Sequence, residues 1–251
     1  MSISYRILGE AGGDNALLVE VDSGQALGRL LFDCGQGCLD GLTPRQVQAI
    51  DHLFFSHLHM DHVAGFDGFF RRNHDRQTRC NVIWGPADTS RILQHRFRGF
   101  LWNLHQRMSA TWYVSDILDG RIETRRFELA EAFATAHPQP PRPYEQTVCR
   151  ADGFAVQAVI LDHKTPSLAY IARETTRENI DPAKLAASGL APGPWLEQLK
   201  TRPDAPRMLQ IDGRVYARKE LRQDLVTETP GDSIAYLTDF ILDEPSVARL
   251  S

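Results

Sequence analysis

The chain lacks the features that mark secreted, membrane-bound or repetitive proteins. Its four cysteines, Cys34, Cys38, Cys80 and Cys149, form no C-x-x-C pair. Their scatter argues against a disulfide framework and suits reduced thiols in the cytosol. No apolar run approaches the ~20 residues that a membrane-spanning helix needs, so no membrane partner is expected. The opening "MSISYRILGE" has no basic leader followed by an apolar stretch. No signal peptide is therefore expected, and the expected location is cytoplasmic. No internal repeat is evident. A net charge of −4 provides no chain-wide attraction to polyanions and counts mildly against nucleic acid. Arginine nevertheless supplies most of the positive charge, and its planar fork suits phosphate.

What is present fits a globular protein. The chain is 42% hydrophobic and 24% charged over 251 residues, enough for one large domain or two small ones. The first third reads as strands broken by turns: "ISYRIL", "ALLVEV", "RLLFD" and "IDHLFFS". In the last of these the apolar residues run together, which predicts a strand covered on both faces. "CNVIWGP" reads as another strand. "ADTSRILQHRFRGFLWNLHQR" reads as a helix capped by Asp88 or Thr89, with Ile92, Leu93, Phe97, Phe100, Leu101 and Leu104 on one face. "HPQPPRPY" is an extended connector. "FAVQAVILDH" is a strand ending in Asp162 and His163, "AYIAR" is its return, and "SIAYLTDF" is a strand carrying Asp239 near its end. Between them, at about 174–232, the pattern turns polar and irregular apart from the helical patch "DPAKLAASG". This is expected to be an arm-like insertion in a single domain spanning 1–251, because its apolar content is thin.

The chemistry concentrates in "FFSHLHMDHVAGF", residues 54–66. His57 and His59, two apart in extended chain, point to one side. Asp61 and His62 follow at a turn before a helix expected over 63–70. Imidazoles with a carboxylate suit zinc, manganese or iron, whereas an oxygen-loving ion does not select three histidines. Gly65 lets the next helix start close to the site. His52, His74, His95, His105 and His137 take ordinary structural readings. His163 and Asp239 stand apart, since each lies at a strand end, where α/β folds place ligands.

These residues resemble the metallo-β-lactamase superfamily. "SHLHMDH" matches its H-x-H-x-D-H signature, "LLFDCGQG" looks like the motif before it, "LDHKTPSLAYIAR" like the third motif and "YLTDF" like the fourth. The resemblance implies a four-layer αββα sandwich with two metal ions, usually zinc, manganese or iron being possible. It implies His57, His59, Asp61, His62, His163 and Asp239 as metal ligands, Asp61 also as a catalytic residue, and Asp33 as a buttress of the metal loop. Within the superfamily the chain is most similar to the ribonuclease Z family, endonucleases that remove 3′ trailers from precursor tRNA through a hydroxide shared by two metals. "NVIWGPADT" and "SGLAPGPWLEQLK" carry that likeness. "SGLAPGPWLEQLK" is similar to the segment with which the family grips tRNA, which implies Gly193 and Pro194 as substrate-binding residues. Lys200 and Arg202, with Lys184 and Arg207, could meet RNA phosphates there. A homodimer is implied as well.

There are departures. "TDF" stands where Gly-Asp-Thr is usual, and no histidine follows His163, although the family has a later histidine ligand. A C-terminally incomplete sandwich and a weakened second metal position are therefore expected. A shortened form of a longer hydrolase, a natural variant with one strong site and a ligand donated by a partner chain are the open explanations. A small-molecule hydrolase of the same fold (acting on a phosphodiester, lactone or thioester) and a catalytically impaired homologue are the rival functions.

Overall fold

A computed structural model describes residues 2–24, 26–200 and 205–250. Two compact units emerge, one of Met1–Glu174 with Asp232–Ser251 and one of Thr175–Gly231.

The first unit begins with β1 (Ser2–Gly9), β2 (Asn15–Asp22) and β3 (Leu27–Phe32), an antiparallel meander. Helix α1 (Pro44–Gln48) then crosses to β4 (His52–Phe54), which runs parallel to β3. Two short helices, α2 (Met60–Val63) and α3 (Phe66–Asn73), lead to β5 (Asn81–Gly85), and α4 (Thr89–Phe97) leads to β6 (Thr111–Leu118); both strands extend the parallel set. Strand β7 (Arg121–Glu128) returns antiparallel and receives the two-residue strands β8 (His137–Pro138) and β9 (Arg142–Pro143). The proline-rich connector is thus extended, and it borders a sheet where its missing N–H groups cost little. Strands β10 (Thr147–Ala151), β11 (Phe154–Asp162) and β12 (Pro166–Glu174) start a second, antiparallel sheet.

The second unit follows. Strand β13 (Arg177–Ile180), helices α5 (Pro182–Ser188) and α6 (Trp195–Leu199), the hairpin of β14 (Met208–Ile211) and β15 (Arg214–Ala217), helix α7 (Arg218–Leu225) and β16 (Val226–Thr229) enclose a small core. Its centre is Leu185, Trp195, Leu199, Leu209, Ile211, Leu221 and Leu225. These apolar residues are few and widely spaced in sequence, so the polar surroundings mask the core they build. The chain then re-enters the second sheet as β17 (Ser233–Tyr236), paired with β12, and ends in α8 (Glu244–Leu250).

The apolar run on β4 explains the layering. Leu53 and Phe55 face the core under the helices, with Val47, Phe66, Phe70 and Leu93. Phe54 faces the opposite way, into the seam between the two sheets, with Phe32, Val156 and Tyr170. Consecutive residues feed different cores, so the run cannot alternate in polarity. Val159, Leu161 and Ala169 on the outer face of the second sheet pack with Phe240. Helix layer, sheet, sheet and the α8 layer make the αββα order.

Two expectations need correction. The helix from Asp88 stops at Phe97, and Asp88, at φ 73°, makes no side-chain cap. Phe100, Leu101 and Leu104 are exposed instead of lining its face. The indole N–H of Trp102 donates to the Phe97 carbonyl at 2.8 Å and takes a bond the next helical turn would need. Strand β17 ends at Tyr236, three residues before Asp239. Asp239 lies in a loop, fixed by the Ser167 hydroxyl donating to its carbonyl at 2.9 Å and by Ile241 N–H donating to the Asp162 carbonyl at 2.7 Å.

His52 reports how dry the seam is. Trp84 Nε1–H donates to His52 Nδ1 at 3.3 Å, leaving Nε2 to carry the ring proton toward Cys149 Sγ, 3.6 Å away. Burial, reinforced by the charge of Arg76, pushes His52 from 6.5 down to about 4. Below pH 6.5 the unfolded chain takes up a proton that the folded chain refuses until about pH 4, so stability falls as pH drops through that window. The full gap corresponds to roughly 3 kcal/mol. His52→Gln is expected to flatten that fall by a similar amount in urea unfolding at pH 7 and pH 4. Equal acid sensitivity in both proteins would overturn the assignment.

Candidate metal centre

The first ligand segment follows β4. Phe54 ends the strand, Ser56 and His57 lie just beyond it, and His59 is the N-cap of α2. Asp61 and His62 therefore sit on a one-turn helix rather than in the loop expected from sequence. The helix expected over 63–70 is split at Gly65, whose N–H donates to the Cys34 carbonyl at 2.9 Å. A Cβ at Gly65 would stand 2.1 Å from the Gly35 carbonyl oxygen, so only glycine permits this approach.

Asp33 organises the segment from beneath. It is fully buried and held at φ 58°, a strained conformation of the kind that collects at functional sites. Its Oδ1 accepts from Ser56 N–H at 2.7 Å. Its Oδ2 accepts from the Ser56 hydroxyl at 2.6 Å, from His62 Nδ1 at 2.6 Å and from the Tyr236 hydroxyl at 2.9 Å. These bonds set the imidazole tautomers. His62 spends its Nδ1 proton on Asp33, so its Nε2 carries a lone pair. The Ser56 hydroxyl, already donating to Asp33, accepts from His57 Nδ1 at 3.1 Å, and this too leaves His57 Nε2 as a lone pair.

Those lone pairs converge. His57 Nε2 lies 3.0 Å from His59 Nδ1 and 3.7 Å from Asp239 Oδ2. His62 Nε2 lies 3.4 Å from Asp239 Oδ2 and 3.4 Å from Asp61 Oδ2. The His163 ring packs 5.3 Å from both His57 and His59. Two sets of possible ligand atoms result, each within 4.8 Å of one another: His57, His59 and His163, and His57, His62 and Asp239. A single Nε2 lone pair serves one ion at a time, so His57 completes one set only. A carboxylate has two oxygens and can serve both. Donor chemistry and spacing fit divalent ions that accept nitrogen and oxygen together.

Electrostatics treats the two imidazoles differently: His57 is driven neutral, whereas the carboxylates around His62 favour its protonated form, which must give up the Nε2 proton before that nitrogen can serve as a ligand. Burial pushes His57 from 6.5 down to about 4, with His62 adding to the effect. The bare ring is therefore neutral near pH 7, as a metal ligand must be. His62 moves the other way: burial lowers it, but the Asp33 hydrogen bond and the charges of Asp33, Asp61 and Asp239 together raise it above 6.5.

The structure brings His57, His59, Asp61, His62, His163 and Asp239 to one end of the sandwich, with Asp33 beneath. The remaining sequence-based candidates lie in the second unit. Gly193 precedes Pro194, the N-cap of α6, and Lys200 pairs with Glu197 at 2.9 Å. Arg202 lies outside the described residues. Ser56 and Tyr236 escape sequence reasoning. Their only signals are adjacency, Ser56 to the histidine cluster and Tyr236 to "LTD".

A family model described as the beta-lactamase superfamily domain matches residues 28–184. Ribonuclease Z of Deinococcus radiodurans is 47% identical over 249 residues, 99% of this chain and 74% of that protein. Ribonuclease BN of Citrobacter koseri is 25% identical over 232 residues, 89% of this chain and 63% of that protein. Ribonuclease Z of Methanococcus maripaludis is matched over 47% of its length. The chain thus spans between about half and three-quarters of these relatives. Among solved structures, the short form of human tRNase Z is similar at 17% identity and a TM-score of 0.40, covering 69% of this chain and 65% of that one. Fold and matching model define a hydrolase of the β-lactamase superfamily, with histidine-rich groups able to hold metal. Within that superfamily the chain belongs to the ribonuclease Z family of endoribonucleases.

Proposed function

We propose that the chain supplies the metal-dependent phosphodiesterase centre of an endonuclease that removes 3′ trailers from precursor tRNA. The observation carrying this reading is the meeting of the two ligand sets at His57, with Asp239 beside both His57 and His62, in a chain 47% identical to a ribonuclease Z. His57, His59 and His163 would hold one ion, and His62 and Asp61 the other, with Asp239 between them. Zinc suits this set best, with manganese or iron as alternatives. Bound divalent metal supplies Lewis acidity toward phosphate oxygens and makes water acidic enough to attack near neutral pH.

The chain's own groups do the rest. Asp61, half-exposed with Oδ2 3.4 Å from His62 Nε2, would accept the proton of the attacking water. Asp33 and Ser56 hold the two imidazoles in the tautomers that aim Nε2 into the site. The second unit exposes Lys184, Arg207, Arg214 and Lys219, cations suited to RNA phosphates. Gly193 and Pro194 shape the loop before α6. A homodimer in the cytoplasm completes the reading. No described helix is long and apolar enough to cross a membrane.

The test uses the neck of the insertion. Glu174 N–H donates to the Asp232 carbonyl at 2.9 Å, and Asp232 N–H donates to the Glu174 carboxylate at 3.0 Å. The ends of residues 175–231 therefore meet, and a short glycine bridge can replace the insertion. That variant is expected to lose cleavage of precursor tRNA by about 100-fold through lost phosphate contacts. Hydrolysis of a small aryl phosphodiester should change little. Equal retention of both activities would remove the RNA from the reading and leave a small-molecule hydrolase. Failure of the intact chain to bind zinc or to cleave either substrate would leave a catalytically impaired homologue.

A further inference from the structure

Tyr236 closes a ring of contacts around one half of the metal centre. Its hydroxyl donates to Asp33 Oδ2 at 2.9 Å. Asp33 Oδ2 accepts from His62 Nδ1 at 2.6 Å. His62 Nε2 faces Asp239 Oδ2 at 3.4 Å, and Asp239 returns to Tyr236 through the backbone of Leu237 and Thr238. The ring joins residues far apart in the chain: Asp33 follows β3 in the first sheet, whereas Tyr236 ends β17 in the second. Backbone pairing alone does not fix this geometry, because β17 has already left its ladder before Asp239.

We propose that Tyr236 is a positioning residue that sets the separation of His62 and Asp239, and so selectively tunes the metal position those two residues share. The proposal rests on the two-set reading of the metal centre. His59 and His163 lie outside the ring. His163 is placed by its N–H donating to the Thr165 carbonyl at 3.0 Å, and His59 by the start of α2. Two of the three ligands of the first set are therefore placed without Tyr236, and His57 meets the ring only through Ser56 and through the more distant Asp239 carboxylate. The hydroxyl acts as a tether, whereas the ring packs on Phe32 with centroids 5.6 Å apart. Replacing tyrosine by phenylalanine keeps the packing and opens the tether at one point.

The test is a competition titration of the metal-free full chain with zinc, and with cobalt(II) followed by its absorption bands. Tyr236→Phe is expected to weaken the lower-affinity ion about 10-fold, the scale of lost outer contacts to a ligand, and to leave the tighter ion unchanged. Tyr170→Phe serves as the control. Its hydroxyl donates to the Phe55 carbonyl at 2.8 Å and takes no part in the ring, so both affinities should persist. Unchanged affinities in Tyr236→Phe overturn the proposal. Equal weakening of both ions, or the same loss in Tyr170→Phe, also overturns it by showing general support of the fold. A wild-type chain that takes up one ion or none sinks the two-set reading itself, which separates that failure from failure of the tether.

Discussion

Asp239→Ala is expected to lower zinc from two equivalents per chain to below one and to cut phosphodiester hydrolysis by on the order of a thousandfold. The carboxylate lies 3.7 Å from His57 Nε2, the nitrogen common to both ligand sets, and 3.4 Å from His62 Nε2. Lewis-acid stabilisation of a phosphoryl transition state is worth several kcal/mol, and each ~1.4 kcal/mol is tenfold in rate. Asp239 is half-exposed and lies outside the strand ladder, so its loss should leave folding nearly intact. His59→Ala and His62→Ala, each touching one set, should remove one equivalent each. Elemental analysis after dialysis reads the stoichiometry. Two equivalents retained by Asp239→Ala would refute a shared carboxylate.

Asp33→Ala is expected to fail in a different way. Asp33 is fully buried and takes four hydrogen bonds, so its removal strands the Ser56 hydroxyl and N–H, His62 Nδ1 and the Tyr236 hydroxyl. Burial, with the charge of Asp33 second, raises the Tyr236 hydroxyl far above its usual range, so it stays a donor that must find an acceptor. Breaking such a buried charged network costs about 3–5 kcal/mol. Alanine is also less at ease than aspartate at φ 58°. The pH dependence has a defined sign. Asp33 helps hold His62 above 6.5, so that stabilisation is complete below 6.5 and fades as pH rises through the raised folded value. In the metal-free protein the penalty of Asp33→Ala, measured by urea unfolding, should therefore be larger at pH 6 than at pH 9. A penalty under about 1 kcal/mol, or one that grows with pH, would count against the network as described.

The histidine cluster is legible in the chain because its geometry is local. His57 and His59 share a side wherever the backbone is extended, and three histidines and an aspartate within six positions need no tertiary information to look like a site. His163 is legible from its position at the end of a long apolar strand. Asp239 is legible in the same way and for a partly wrong reason, since it lies in a loop held by Ser167 and Asp162 rather than on β17. The β6–β7 hairpin is not legible. "RIETRRFE" is dominated by charge, because one face of that strand carries Arg–Glu pairs such as Arg126 with Glu128. The overlong helix fails because Phe100, Leu101 and Leu104 keep a helical spacing that the Trp102 bond interrupts.

The small core of the second unit is hidden as well. Its apolar residues are spread over some forty positions of mostly polar chain, and only folding gathers Leu185, Trp195, Leu209 and Leu221. Sequence thus determined the superfamily, the histidine-rich character of the site and the order of the candidate ligands, because these depend on residue type and near-neighbour spacing. Tertiary structure alone decided which candidate ligands face each other, which nitrogen of His57 and of His62 is free, and that Tyr236 reaches Asp33 across 203 residues. Those properties depend on how two sheets meet, and sheet packing is set by side chains too far apart in sequence for any local pattern to record.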